Sequence, residues 1–107
     1  MNADLQGQGP GITWFVSRHP GAIEWAKRRG LAIERWIEHL DPGEVEPGDT
    51  VIGTLPVNLA AEVCKRGASY LHLSVSMPST LRGRELSAEE LLAVRAELIA
   101  FRIKETQ

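Results

Sequence analysis

ITWFVSRHPGAIEWA, residues 12–26, decides how the chain is read. The run ITWFVS is β-branched and aromatic with no charge in it, as expected of a strand buried on both faces. Ser17-Arg18-His19 breaks the run, and Pro20 opens a helix at once, because its fixed φ suits a first helical position and its missing N–H would be unpaired there anyway. Gly30, after Lys27-Arg28-Arg29, supplies the stop, so the first helix is expected over residues 20–29. A strand that passes through three polar residues into a helix aims those residues and the helix's first amides at one place. Such a junction favours an anion.

The same grammar continues outward. Residues 32–39 (AIERWIEH) put Ile33, Arg35, Ile37 and His39 on one face and Glu34, Trp36 and Glu38 on the other, which suits an exposed strand near a sheet edge, with a short helix as the alternative. DPGEVEPGD, residues 41–49, reads as a solvated crossover with one helical turn at its start. TVIGTL, residues 50–55, is the clearest buried strand. Pro56 begins a second helix through Arg66, where Leu59, Ala60, Val63 and Cys64 form an apolar stripe ended by Gly67. SYLHLSVS, residues 69–76, alternates as a fourth strand. After the loop 77–85, Ser87 and Glu90 form a capping-box pattern, and Leu91, Leu92, Arg95, Leu98, Ile99 and Arg102 continue one face of a long last helix to the end of the chain.

A strand, a polar exit, a proline, a helix, a basic pair, a glycine and a second strand occur at residues 15–37 and again at 52–75. Two βαβ units with right-handed crossovers imply an α/β fold: a Rossmann-like open sheet of about four mainly parallel strands, order 2-1-3-4, with three helices. That order sets the exits of strands one and three side by side, where ligands of such sheets bind. Residues 1–11 are expected to be a loose tail and residues 12–107 a single domain.

Composition narrows the function. The 107 residues are 43% hydrophobic and 24% charged with a formal charge of −2, which argues against sequence-independent binding to duplex nucleic acid and requires any anionic partner to be met locally. The single cysteine, Cys64, cannot form an internal disulfide, which fits a reducing compartment and an expected cytoplasmic location. No apolar run reaches the ~18–20 residues of a membrane span, and the first eleven residues lack the pattern of a signal peptide. The three histidines are scattered, and neither a triphosphate-binding nor a dinucleotide-binding glycine motif occurs, so neither metal nor cofactor is expected.

The blocks WFVSRHPGAIEWAKRRG, HLDP, GDTVIGTLPVNLAAEVCKRGA, YLHLS and RGRELSAEEL, spread over residues 13–92, resemble a small family of stand-alone proteins encoded with type III CRISPR systems. The resemblance implies a fold like the CRISPR-associated Rossmann (CARF) domain. It also implies a ring nuclease acting on cyclic oligoadenylate, with cyclic tetra-adenylate as the expected messenger. Such a ring is fourfold charged and roughly symmetric, so a homodimer would enclose it between two copies of one surface.

Candidate roles follow from the chemistry of metal-free phosphodiester cleavage, which needs alignment of the 2′-OH, charge stabilisation and proton transfer. Arg18 offers a bidentate fork to phosphate, or else caps a carbonyl or pairs with a surface acid. His19 can move a proton, or it simply ends the helix from outside. Ser17 can hold a phosphate or ribose oxygen, or cap helix one. Thr54 and Asn58 occupy the matching exit after strand three, and Gly53 would let backbone approach the ligand or make room for packing. Arg82 and Arg84, in the loop after strand four, could close over a ring, with Ser76 and Ser74 weaker candidates. His72 reads as a hydrogen-bonded packing residue and His39 as surface. Trp14, Trp25 and Cys64 read as core, and Trp36 as a possible dimer contact. Catalysis by Arg18, His19 and Ser17 is one hypothesis. A binding module that senses or sequesters the messenger without cutting it is the other.

Overall fold

Four strands run parallel and a fifth runs against them. The computed structural model describes residues 11–75, 87–93 and 95–106, the side chains of 91–93 excepted. In chain order the elements are β1 (Thr13–Val16), α1 (Pro20–Arg28), β2 (Arg35–Ile37), a 3-10 turn (Pro42–Glu44), β3 (Thr50–Gly53), α2 (Val57–Lys65), β4 (Ser69–Ser74), α3 (Ala88–Ala93) and β5 (Glu97–Phe101). They form one sheet in the order β2-β1-β3-β4-β5. The expected order of the first four strands holds. The parallel register sets Val16 opposite both Ile37 and Gly53, and Gly53 opposite His72.

The long last helix does not form. Its start is as expected, because the Ser87 and Glu90 side chains and amides cap one another reciprocally at 2.9 and 3.1 Å. The helix stops at Ala93, Arg95 turns the chain with a left-handed φ of 58°, and β5 then pairs antiparallel with β4 from Ser74↔Glu97 to Tyr70↔Phe101. Residues 96–101 read AELIAF, which satisfies a period of two as well as the helical spacing of Leu98 and Ile99. The open edge of β4 decides between the two periods, since a strand there satisfies backbone groups that a helix would leave unpaired.

Consecutive residues of β1 point to opposite faces. Phe15 lies with Ala22, Trp25 and Ala26 of α1, Ile52 and Leu71, whereas Trp14 and Val16 lie with Val45, Val51, Tyr70 and the α2 residues Ala60 and Val63. Thus α1 and α2 cover opposite faces of the sheet, and the strand order reverses between β1 and β3. Trp14 and Trp25 are core as expected, both essentially without exposure. Both long helices end at glycines with left-handed φ, Gly30 at 72° and Gly67 at 88°. The stretch 41–49 is less solvated than its composition suggests. The helical turn is there, but Val45 and Asp49 are buried.

Gly53 has a packing reason to lack a side chain. A Cβ there would lie 2.7 Å from the Val16 carbonyl oxygen and 3.4 Å from the Val16 Cβ. Because the nearest atom is backbone, the two central strands would have to part. Gly53→Ala is expected to destabilise the fold by about 1–3 kcal/mol, read as a lowered urea midpoint.

Candidate functional site

The carboxyl ends of β1 and β3 leave the sheet side by side, and their helices then diverge to opposite faces. The reversal of strand order there makes a crevice between the two exits, with Ser17, Arg18 and His19 following β1 and Thr54 and Asn58 following β3. Arg18, His19, Thr54 and Asn58 are exposed, Ser17 is half-buried and Gly53 is buried. The structure thus brings together six of the residues singled out in the sequence. Ser76, Arg82 and Arg84 lie outside the described residues, as do residues 1–10 and the side chains of Leu91 and Leu92.

Local geometry assigns the polar groups. Ser17 donates its amide to the Ile37 carbonyl at 2.9 Å, which holds the β1 exit against β2, and its Oγ accepts the His19 amide at 3.1 Å. Ser17 therefore shapes the turn and does not cap α1. His19 is the N-cap residue, and its side chain makes no capping hydrogen bond. Pro56 occupies the same position on α2, again without a side-chain cap, so Val57 and not Pro56 is the first helical residue. Neither helix carries an acidic residue in its first turn. Two helix N-termini therefore present their positive ends to one crevice with no carboxylate of their own to neutralise them. Glu38, beyond β2, and Glu97, at the start of β5, place carboxylates at the flanks of this edge.

Two residues at this edge were not legible as site residues. Arg95 sits at the turn into β5, exposed and in the left-handed region, where a non-glycine residue stores backbone strain. The helical reading of residues 87–102 concealed it. Tyr70 approaches from behind: its hydroxyl accepts the Leu55 amide at 2.9 Å and lies 3.2 Å from the Gly53 carbonyl and 2.7 Å from His72 Nδ1. Burial pushes the Tyr70 hydroxyl above its ordinary value, against the opposing pull of the Leu55 amide, so it is protonated at neutral pH. The pairing of Tyr70 and His72 two residues apart on one strand face was the available signal. His72 is thus the hydrogen-bonded packing residue that the sequence suggested.

A cleft of about 370 Å³ opens at the opposite edge of the sheet, lined by Trp14, Arg35, Glu44, Glu46, Pro47 and Asp49. Three carboxylates make it a poor receptor for an anion. Its one cation is already engaged, since the Arg35 guanidinium lies 4.6 Å from the Trp14 ring centroid and 3.8 Å from Glu44. Among the described residues, no three His, Cys, Asp or Glu side chains cluster as a metal site would require. No helix among them is long and apolar enough to cross a membrane.

Residues 14–104 match the model of a family described as "Putative CRISPR-associated protein (Cas_VVA1548)". The chain belongs to this CRISPR-associated family. The match takes in all five strands apart from the first residue of β1, and with them the whole crevice. No curated protein and no solved structure matches the chain. Membership connects the chain with CRISPR systems.

Proposed function

We propose that this family member is a ring nuclease of type III CRISPR systems that opens cyclic oligoadenylate, with cyclic tetra-adenylate as its substrate. What carries the reading is the convergence of Arg18 and His19 with two helix N-termini that no side chain caps, at the point where the strand order reverses. The sequence resemblance supplies the ligand class.

In the proposed reaction the 2′-oxygen of one adenosine attacks the adjacent phosphorus as the bond from phosphorus to the 5′-oxygen breaks. The products are a 2′,3′-cyclic phosphate and a 5′-hydroxyl. Arg18 would hold the equatorial phosphate oxygens, which gain charge in the transition state. His19 would take the 2′-OH proton or deliver one to the departing 5′-oxygen. The Ser17 hydroxyl keeps a proton to donate to the ligand while its lone pair accepts the His19 amide. Thr54 and Asn58 would meet a ribose or an adenine edge.

A second copy of the chain would complete the enclosure. Val57, in the first turn of α2 beside Asn58, leaves 67% of its surface exposed, an apolar group that a two-fold partner would cover. Arg82 and Arg84 are further candidates to meet the ring's phosphates.

Incubation with cyclic tetra-adenylate in excess EDTA, with products identified by mass spectrometry, tests the reading. Linear di- or tetra-adenylate ending in cyclic phosphate, formed as fast as without chelator, is the expected result. An intact ring that co-elutes with the protein would establish a binding module instead, and an intact ring that does not bind would overturn both.

A further inference from the structure

We propose that Tyr70 is a positioning residue for the crevice: its buried hydroxyl clamps the β3–α2 loop on both sides of Thr54 and so fixes Thr54 and the first turn of α2 against the ligand. This inference rests on the function proposed above for that site.

The Leu55 side chain packs on the core cluster that holds Val51 and Tyr70, and the polar backbone of the loop needs its own partners. Thr54 and Pro56 are exposed, Leu55 is half-buried, and Pro56 as N-cap supplies no side-chain hydrogen bond. Tyr70, by contrast, is 2% exposed and anchored in β4 between β3 and β5. Its hydroxyl meets the Gly53 carbonyl and the Leu55 amide, the backbone groups on either side of Thr54. A hydroxyl has one proton to give and two lone pairs to fill. With a proton on His72 Nδ1, all three bonds form at once: Leu55 N–H and His72 Nδ1–H donate to the Tyr70 oxygen, and the Tyr70 proton goes to Gly53. His72 is itself fixed, because its ring meets those of Tyr70 and Phe101 edge-on, both with centroids 5.8 Å away. The edge strand β5 therefore supports the loop through Phe101, His72 and Tyr70 in turn.

Gly53, one end of the clamp, lies between Val16 and His72 in register. A loop held at Gly53 and Leu55 has only residue 54 free between its anchors. The Thr54 side chain then faces outward without cost in loop entropy when a ligand arrives.

The experiment compares wild-type protein with Tyr70→Phe, His72→Ala and His72→Asn, with Ser69→Ala as a control at the exposed start of β4. Amide hydrogen exchange measured by NMR without ligand reads the clamp. In Tyr70→Phe the Leu55 amide is expected to exchange at least about tenfold faster, while β1 amides keep their protection. Cleavage of cyclic tetra-adenylate reads the consequence: the rate at saturating ring is expected to fall about tenfold in Tyr70→Phe and His72→Ala. His72→Asn, whose amide reaches the place of Nδ1, is expected to recover most of both losses, which a purely structural role for the ring would not allow. Unchanged Leu55 exchange in Tyr70→Phe overturns the clamp. Faster exchange with an unchanged cleavage rate overturns its link to the ligand. A wild-type protein that neither binds nor cuts the ring overturns the proposed function and the ligand half of this inference, and the exchange rates then decide the clamp alone.

Discussion

Arg18→Ala is expected to lower the turnover of cyclic tetra-adenylate at saturating concentration by about a hundredfold or more, the loss typical when one preorganised donor to a developing oxyanion is removed. In the proposed reaction the effect belongs in kcat, because the phosphate oxygens gain charge only as the 2′-oxygen attacks and the guanidinium would then bind the transition state better than the ground state. Arg18→Lys keeps the charge and loses the planar fork, and is expected to recover only part of the rate. His19→Ala is expected to cost a similar factor, about a hundredfold, as for a group that transfers a proton in the rate-limiting step. Both side chains are exposed, so the melting temperature should stay within a degree or two of wild type, roughly the shift of a surface substitution. Steady-state rates over a range of ring concentrations, together with thermal melts, check all three variants. Wild-type turnover in both Arg18→Ala and His19→Ala would refute the catalytic assignment.

The largest effect on stability is expected at Asp49, far from the crevice. This carboxylate is 3% exposed and accepts three N–H groups: Ile12 at 2.9 Å, the Trp14 indole at 3.0 Å and Glu46 at 3.0 Å. It thereby ties the entry to β1, the largest core side chain of that strand and the turn before β3 into one knot. Asp49→Ala leaves those donors without their acceptor in a buried place, and a loss of about 3–4 kcal/mol is expected from equilibrium urea unfolding. Burial alone would raise the carboxyl's pKa. The amide of Glu46, the indole of Trp14, the amide of Ile12 and the charge of Arg35 together outweigh it, so the group titrates below its ordinary value. A carboxylate whose folded pKa is depressed contributes stability above its unfolded pKa of about 3.9 and loses it as pH falls through the lower, folded value. Wild type should therefore lose stability on acidification below about pH 4, and Asp49→Asn should show a shallower acid limb. Equal acid slopes in the two proteins would show that the carboxylate has no part in the acid transition.

Much of the crevice was legible because its determinants are local. Ser17-Arg18-His19-Pro20 and Gly53-Thr54-Leu55-Pro56 announce a strand end and a helix start within four residues. The parallel order then follows from two crossovers of one hand. What escaped needed partners distant in sequence. Arg95 was hidden by a segment whose apolar spacing fits a helix and a strand alike. Tyr70 reads in sequence only as a residue of an alternating strand, and its hydroxyl bonds to a loop fifteen residues away.

Local patterns suffice for the first four strands and their order, the proline at the head and the glycine at the end of α1 and α2, the capping box at Ser87 and the residues at the strand exits. Those features rest on backbone propensities and side-chain periods that act over a turn or two of chain. Long-range packing alone makes residues 97–101 an antiparallel edge strand, Asp49 a buried acceptor in a stretch rich in surface residues, and Tyr70 a partner of the loop after β3. Each of those depends on satisfying a buried or edge polar group with a partner far along the chain, and no local pattern records where that partner will be.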